Sequence, residues 1–507
     1  MGSKYTNGNG YHAPAADGVW ANNIEDRANF IKDLEAYRID IYETKGGPLP
    51  LNAVMHDVAA EIPDIVVTPL TDLHVIQTLQ TIKKYDLYGK NIPISVKSGG
   101  HGYFNGATCN GIMINLAKMD RRYVKDNILH AGPGCAGAQT VDTLSKNKKA
   151  LPHGDCFGVG AGGHFITAGW CIILARKYGL GCQNVVGGRV VLWDGEEVLV
   201  NENSHPKLLH AMRGGAAAGV GIVTEVHLKL IDEPDFVTWK WTYLSLPQIK
   251  TCVEQNAFRK AQHLPREITM AFRYFFKPFQ LEPICSFNIQ SLLKPEETIA
   301  AVKTTLGPEV AAMIDDLSAW NRGTLVDLRM QPASELVNNN RSMLADMSIT
   351  ALHSTPDIYW EQGSLLREMA RSYFTSISHW VVPESETMLL DLYEAFDAVK
   401  GTPARDMMYA LLIQGGGRMN ELQDITAMPI GKALSRFELH WDTLEEEKWS
   451  RDFTDVIEGI FEKGKDPRCN RPYRGDVWKV EQAQDAKLDK VFEKYNRKGW
   501  TPVGKPE

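Results

Sequence analysis

Apolar and polar positions along the first half of the chain alternate between helical and strand periods. Residues 1 to about 25 are polar and rich in Gly and Asn, the pattern of a loose arm. IEDRANFIKDLEAYRIDIY follows with apolar residues at helical spacing. The β-branched run IVVT ends at Pro69, Thr71 and Asp72 offer a cap, and Leu73, Ile76, Leu79 and Ile82 are expected to form one helical face. IPISV then reads as a short strand entering the turn SGGHG, so strand, helix and strand make a small α+β unit. Further on, the apolar stretch FITAGWCIILARKYG predicts a buried helix with a basic end and a stop at Gly179. GGRVVLWDGEEVLV alternates on either side of Asp194-Gly195, a hairpin signal. HPKLLHAMRGG predicts a short helix that feeds a third glycine turn, Gly214 to Gly221, and the strand IVTEVHLKL.

Past Glu233-Pro234-Asp235 the texture changes. FVTWKWTYLSL, EITMAFRYFF, ICSFNIQSLL, MMYALLIQGG and LSRFELHWD read as strands. PEETIAAVKTTL, DIYWEQGSLLREMARSYF and SETMLLDLYEAFDAVKG between them read as helices. That order predicts an antiparallel sheet with helices on one face. The expected fold class is α+β, with residues 1–232 as one domain, 233–468 as a second, and 469–507 as a segment returning to the first.

Composition narrows the function. The 507 residues carry a net charge of −7, 44% hydrophobic and 23% charged positions, with no long basic run, so nucleic acid is not an expected partner. No stretch approaches the length of a membrane span, and the N-terminus has no apolar core of a secretory signal, which predicts an intracellular, cytoplasmic protein. Gly2 and Thr6 match a myristoylation hexamer that occurs often by chance. The eight cysteines show no regular framework and are expected to be free thiols; no His/Cys/Asp spacing suggests a metal. Trp239 and Trp241 share one strand face at period two and fit a core as well as a ligand platform.

The chemistry gathers between Ser98 and Val223. Ser98, Gly99, Gly100 and Gly102 surround His101 and present backbone N–H groups with little to block close approach, a cradle suited to phosphate. A second turn sets Gly154, Gly158, Gly160, Gly162 and Gly163 around the thiol of Cys156, which suggests backbone pressed on a flat ligand with a nucleophile aimed at it. GVGAGG has the letters of a dinucleotide fingerprint, yet no clear strand leads into it and no acidic residue follows at the required distance.

The ordered set SGGHGY, GAGGHFITAGW, RKYGLGCQNVVGGRVV and AMRGGAAAGVGIVT, dense from Ile65 to Leu230, resembles the FAD-binding domain of the vanillyl-alcohol oxidase and p-cresol methylhydroxylase superfamily. Within it the chain is most similar to the berberine bridge enzyme-like oxidoreductases, and LLIQGGGRMNEL resembles their Gly-Gly-Arg-Met segment. The resemblance implies a two-part FAD-binding domain roofed by the antiparallel sheet of a substrate domain. It implies FAD attached twice, by His101 to the 8α-methyl and by Cys156 to carbon 6, with His164 a non-covalent neighbour. Lys97, Ser98, Gly99, Gly100, Gly102, Tyr103 and Asn105 would line the cofactor from the first turn. Gly154, Val159, Gly160, Gly162, Gly163 and Gly169 would do so from the second, and Gly221, Ile222 and Val223 from the third. The tail segment with Asn470, Tyr473, Arg474 and Asp476 loosely follows a family pattern, which adds Tyr473 to the cofactor and catalytic candidates.

On this reading the protein is an oxidase of a bulky small molecule, with dioxygen as second substrate, acting as a monomer or homodimer. Val159, three residues past the tethering cysteine, would leave room for dioxygen. The proton acceptor is expected on RFELHW, where Glu438 and His440 share one face and Phe437, Leu439 and Trp441 the other. Burial above a flavin would raise the carboxylate's pKa toward neutrality. Tyr103 is an alternative base, and Trp170 stands where relatives often carry tyrosine. A flavoprotein cyclase or isomerase, and an idle flavin-binding protein, are the competing classes.

Overall fold

A computed structural model describes residues 18–44, 61–100, 107–154, 159–277, 280–329, 373–402, 408–441, 443–469 and 486–495. The first sheet runs β1 (Asp40–Glu43), β2 (Ile65–Thr68), β3 (Ile94–Lys97) and β4 (Ile112–Asn115) in the order β1-β2-β4-β3, with β4 parallel to both its neighbours. The helices Ile24–Ala36 and Asp72–Lys84 cover it, and Thr71 Oγ1 accepts the His74 N–H at 3.2 Å as the expected cap. The buried stripe of the second helix is Val75, Thr78, Leu79 and Ile82, whereas Leu73 is 59% exposed. Ile76, Leu79 and Ile82 lie on the core as expected and Leu73 does not, because steps of three residues drift around a helix of 3.6 residues per turn and set Leu73 roughly 180° from Ile82.

The second sheet holds β5 (Arg122–Lys125), β6 (Ile128–Ala131), β8 (Val185–Leu192), β9 (Glu197–Asn201) and β10 (Gly221–Lys229), ordered β5-β6-β10-β8-β9 and antiparallel throughout. A separate two-stranded pair joins β7 (Lys149–Ala150) to β11 (Ile231–Asp232). The hairpin at Asp194-Gly195 forms as expected, with Gly195 at φ +87°. One face of the second sheet packs on Phe165, Leu208 and Met212, and on Leu488 and Val491 of the helix Ala486–Tyr495.

The single helix expected between Phe165 and Gly179 is two pieces, Ala161–Thr167 and Ala175–Tyr178. Gly169 breaks it at φ +78°, where the chain crosses Gly181: the Gly181 N–H donates to Gly169 O at 2.8 Å, and a β-carbon on Gly169 would fall 2.7 Å from Gly181 Cα. A buried apolar run carries no periodicity to reveal such a crossing.

The third sheet has seven antiparallel strands: β12 (Val237–Leu244), β13 (Ile268–Phe275), β14 (Ile284–Ser291), β15 (Asn321–Gly323), β16 (Tyr373–Val381), β17 (Met408–Gln414) and β18 (Ala433–Trp441). Their order is β15-β12-β14-β13-β17-β18-β16. Helices Leu246–Glu254, Pro295–Leu306, Met388–Ala398 and Glu447–Lys463 cover one face, which buries Phe272, Phe287, Phe437, Leu439 and Trp441. The five expected strands are present, and β15 and β16 are additions. The expected helix from Asp357 overlaps β16 at Tyr373 and Phe374; residues 357–372 lie outside the described residues. The opposite face carries Ala271, Phe275, Tyr409, Leu411, Ile413 and Leu434 against Ala168, Trp170 and Ile172 from the N-terminal half.

Arg176 ties the halves together. Its guanidinium, 1% exposed, donates to Gly415 O at 3.0 Å, to Pro265 O and Leu264 O at 2.9 Å each, and to Ile268 O. Trp239, also buried, packs with Ile173 and Leu174, the core reading of that tryptophan. Among the described residues, no helix is long and apolar enough to cross a membrane.

Candidate active site

The first two glycine turns lie against each other. β3 ends in Lys97, which is fully buried with Nζ 3.4 Å from Asn115 Oδ1 and 3.2 Å from Ser98 O. Ser98 Oγ donates to Pro133 O, and Gly100 adopts φ +68°. A β-carbon at Gly160 would collide with Gly99 N and Ser98 Oγ, so the approach of the two turns requires glycine there. The second turn is further held by Gly137 N–H to Val159 O at 2.9 Å, Ala161 N–H to Cys135 O at 2.8 Å and Gly162 N–H to Pro133 O at 3.1 Å. Gly163 is exposed, with nothing within 4 Å of the position a β-carbon would take.

His164 braces the same turn from the next helix. Its Nε2 accepts the Gly154 N–H at 2.8 Å, which fixes that nitrogen as the lone-pair side of the ring. Beside it, His153 Nδ1 donates to Gly154 O at 2.8 Å. Burial, with Arg329 and His164 nearby, pushes His153 well below the usual imidazole range, so the ring is neutral. His153 Nε2 is buried with no hydrogen-bond partner among the described residues.

The third turn leads into β10, where Gly221 pairs with Leu192, Ile222 with Val191 and Val223 with Val190. The Ile222 and Val223 side chains are buried in the two adjoining cores. The preceding Ala216, Ala217 and Ala218 all hold left-handed φ, +48°, +54° and +52°, at a cost of roughly 1–2 kcal/mol per residue. Sequence gave no sign of this, since alanine does not favour that region.

The sheet face toward the N-terminal half supplies the polar groups. Phe437, Leu439 and Trp441 pack on the helices, so alternation turns Leu434, Arg436, Glu438 and His440 the other way. Glu438 is fully buried and His440 is 3% exposed. Arg436, itself buried, contacts the Glu438 carboxylate, and its guanidinium lies 5.5 Å from the Tyr409 ring centre. In register, Tyr409 stands opposite Glu438 on β17 and Ser376 opposite it on β16. Farther along the same face Arg273 lies 5.8 Å from the Trp241 ring. Trp170 meets Trp380 at 5.5 Å between ring centres, one point where the halves touch.

Arg436, Tyr409 and Arg273 were not singled out in the sequence. The signal for Arg436 was present, since it shares the period-two face of Glu438 and His440. His101, Gly102, Tyr103, Asn105, Cys156, Gly158 and Tyr473 lie outside the described residues. The other seven cysteines are buried free thiols. Backbone approach at Gly160, open space at Gly163 and a buried polar face opposite suit a flat cofactor lying between turns and sheet.

Residues 63–201 match the family model described as an FAD binding domain. The chain is 31% identical over 218 residues to a chitooligosaccharide oxidase of Gibberella zeae, covering 41% of this chain and 42% of that protein. It is 29% identical over 243 residues to a tetrahydroberberine oxidase of Argemone mexicana, 43% and 42% of the two chains. These matches span about two fifths of the relatives' length. Among solved structures, the grass pollen allergen Phl p 4, described as having glucose dehydrogenase activity, superposes with a TM-score of 0.74 at 17% identity, over 94% of this chain and 98% of that one. A wild-type berberine bridge enzyme-like protein of Physcomitrella patens gives 0.68 at 16% identity, over 88% and 90%. Residues 63–201 thus match an FAD-binding domain, and the chain as a whole has the fold of the berberine bridge enzyme-like proteins.

Proposed function

We propose that the protein is an FAD-linked oxidase that removes a hydride and a proton from a bulky small molecule. The observation that carries this reading is the buried Arg436-Glu438-His440 row on the sheet face turned toward the FAD-binding half. When bound, FAD supplies a two-electron acceptor that dioxygen can reoxidise. The chain's own part is to hold FAD, through the glycine turns and covalently through His101 and Cys156, and to move one proton. Arg436 places a counter-charge in contact with Glu438, the carboxylate proposed as proton acceptor. His440 on the same face serves as the second acceptor, and Tyr103 as the alternative. Apolar Trp170, Trp380 and Leu434 exclude water around them.

Val159 favours dioxygen as the final acceptor. Wild-type Phl p 4 is described as a glucose dehydrogenase, and an isoleucine-to-valine variant of it as a glucose oxidase. One methylene thus accompanies the change of acceptor in that protein, and this chain already has valine at its candidate gate. The relatives oxidise carbohydrates and alkaloids, and both classes supply test substrates. Screening oligosaccharides and benzylisoquinoline-type amines with a peroxide readout, then repeating hits without oxygen, tests the proposal. An oxidase stops after one turnover with bleached flavin. Continued anaerobic product formation overturns it in favour of a non-redox cyclase.

A further inference from the structure

We propose that His130, Glu225 and His227 form a binding site for a divalent d-block cation, zinc or copper(II), on the outer face of the second sheet. His130 on β6 and His227 on β10 are direct cross-strand partners, and Glu225 precedes His227 by two residues on the same face. Leu129, Ala131, Val226 and Leu228 from the same strands point into the core, so the three polar side chains share the other side. Glu225 Oε1 lies 3.2 Å from His130 Nδ1 and 2.5 Å from His227 Nε2. All three ligand atoms fall within 4.8 Å of one another.

The site is held in place and reachable. Tyr123 stacks on His130 with ring centres 4.6 Å apart and planes 4° from parallel, which fixes the imidazole. Beside His227 the facing strand offers Gly187, whose missing β-carbon would lie 3.1 Å from His227 Nδ1, so no side chain crowds that ring. His130 and Glu225 side chains are 17% and 19% exposed, enough for an ion to arrive from solvent. Among the described residues, no lysine or arginine forms an ion pair with Glu225, so no fixed cation competes for the carboxylate.

Without metal, one carboxylate oxygen facing two ring nitrogens requires both nitrogens to carry hydrogen. A cation takes the place of those hydrogens: a neutral imidazole shifts to its other tautomer, and an imidazolium releases its proton to water. Ligands bound at about 2.0–2.2 Å stand about 3–3.5 Å apart, which the His130–Glu225 spacing meets and a small rotation of the carboxylate provides for His227. Two imidazoles and one carboxylate select zinc, copper or nickel over magnesium or calcium, and three protein ligands leave a position for water. Glu-x-His on one strand was half of the site in sequence; the other half lies almost a hundred positions earlier.

The test uses full-length, FAD-loaded protein stripped with a chelator and titrated with Cu²⁺ alone. Oxidised flavin is silent in electron paramagnetic resonance, so the copper spectrum reads the ligands directly. Wild type should bind one copper per chain with splitting from two nitrogens. His130→Gln and His227→Gln should each lose one nitrogen, with flavin absorbance unchanged. Absence of a stoichiometric site, or a two-nitrogen signal that survives both substitutions, overturns the proposal. In the unaltered protein, Zn²⁺ should also protect His130 and His227 from acylation by diethyl pyrocarbonate, read by peptide mass; equal labelling with and without Zn²⁺ overturns it independently.

Discussion

Gly154 donates its backbone N–H to His164 Nε2 at 2.8 Å, linking the start of the Cys156 turn to the helix that follows it. On the proposed reading, in which Cys156 carries the flavin, this bond gives His164 a positioning role for the turn before it. His164→Ala removes the acceptor of a half-buried N–H, at a cost of about 1 kcal/mol local to the turn. The expected outcome is FAD retained through His101 with attachment at Cys156 lost or incomplete. Mass spectrometry of flavin-bearing peptides from wild type and variant checks this; two complete attachments in His164→Ala would contradict it.

For the proton acceptor, Glu438→Gln should slow anaerobic flavin reduction by roughly 10²–10⁴-fold with FAD content unchanged. His440→Ala should have the smaller effect, since Arg436 bears directly on Glu438. If Glu438→Gln and His440→Ala both reduce at the wild-type rate and Tyr103→Phe does not, the tyrosine is the base.

Val159→Leu adds one methylene in a turn already closed by the Gly137 bond to its carbonyl. In a close-packed site that methylene should slow reoxidation by dioxygen by about an order of magnitude or more while leaving reduction intact. Stopped-flow measurement of the two half-reactions separates them.

Burial pushes Glu386 up to about 7, although its carboxylate accepts the N–H groups of Phe258 at 3.2 Å and Arg259 at 3.0 Å. The folded state therefore holds this proton more tightly than the unfolded chain. The stability Glu386 contributes is full below about pH 4.5 and declines as pH rises to about 7, by no more than about 3 kcal/mol. Glu386→Gln should flatten that slope, as urea unfolding across the interval would show.

Much of this architecture was legible because period and punctuation agree with it. Gly195 closes its hairpin, and the alternation in RFELHW separated Glu438 and His440 from Phe437 and Leu439 correctly. What escaped the sequence has a common physical character. The break at Gly169, the left-handed alanines and the Arg436 contact with Glu438 arise where distant segments press together, and no local pattern encodes the partner. Leu73 is different: its signal was present, and three-residue counting misplaced it.

Arg176 has consequences for how the molecule comes apart. A side chain rooted in the N-terminal half that satisfies four carbonyls of the other half makes the melting of either one expose unpaired groups in both. Heating should accordingly give one calorimetric transition in the wild type. Arg176→Met, at a cost of about 3 kcal/mol or more from the stranded carbonyls, should resolve it into two peaks. A single transition would mean that one guanidinium, as much as the apolar surface between them, makes the two halves unfold together.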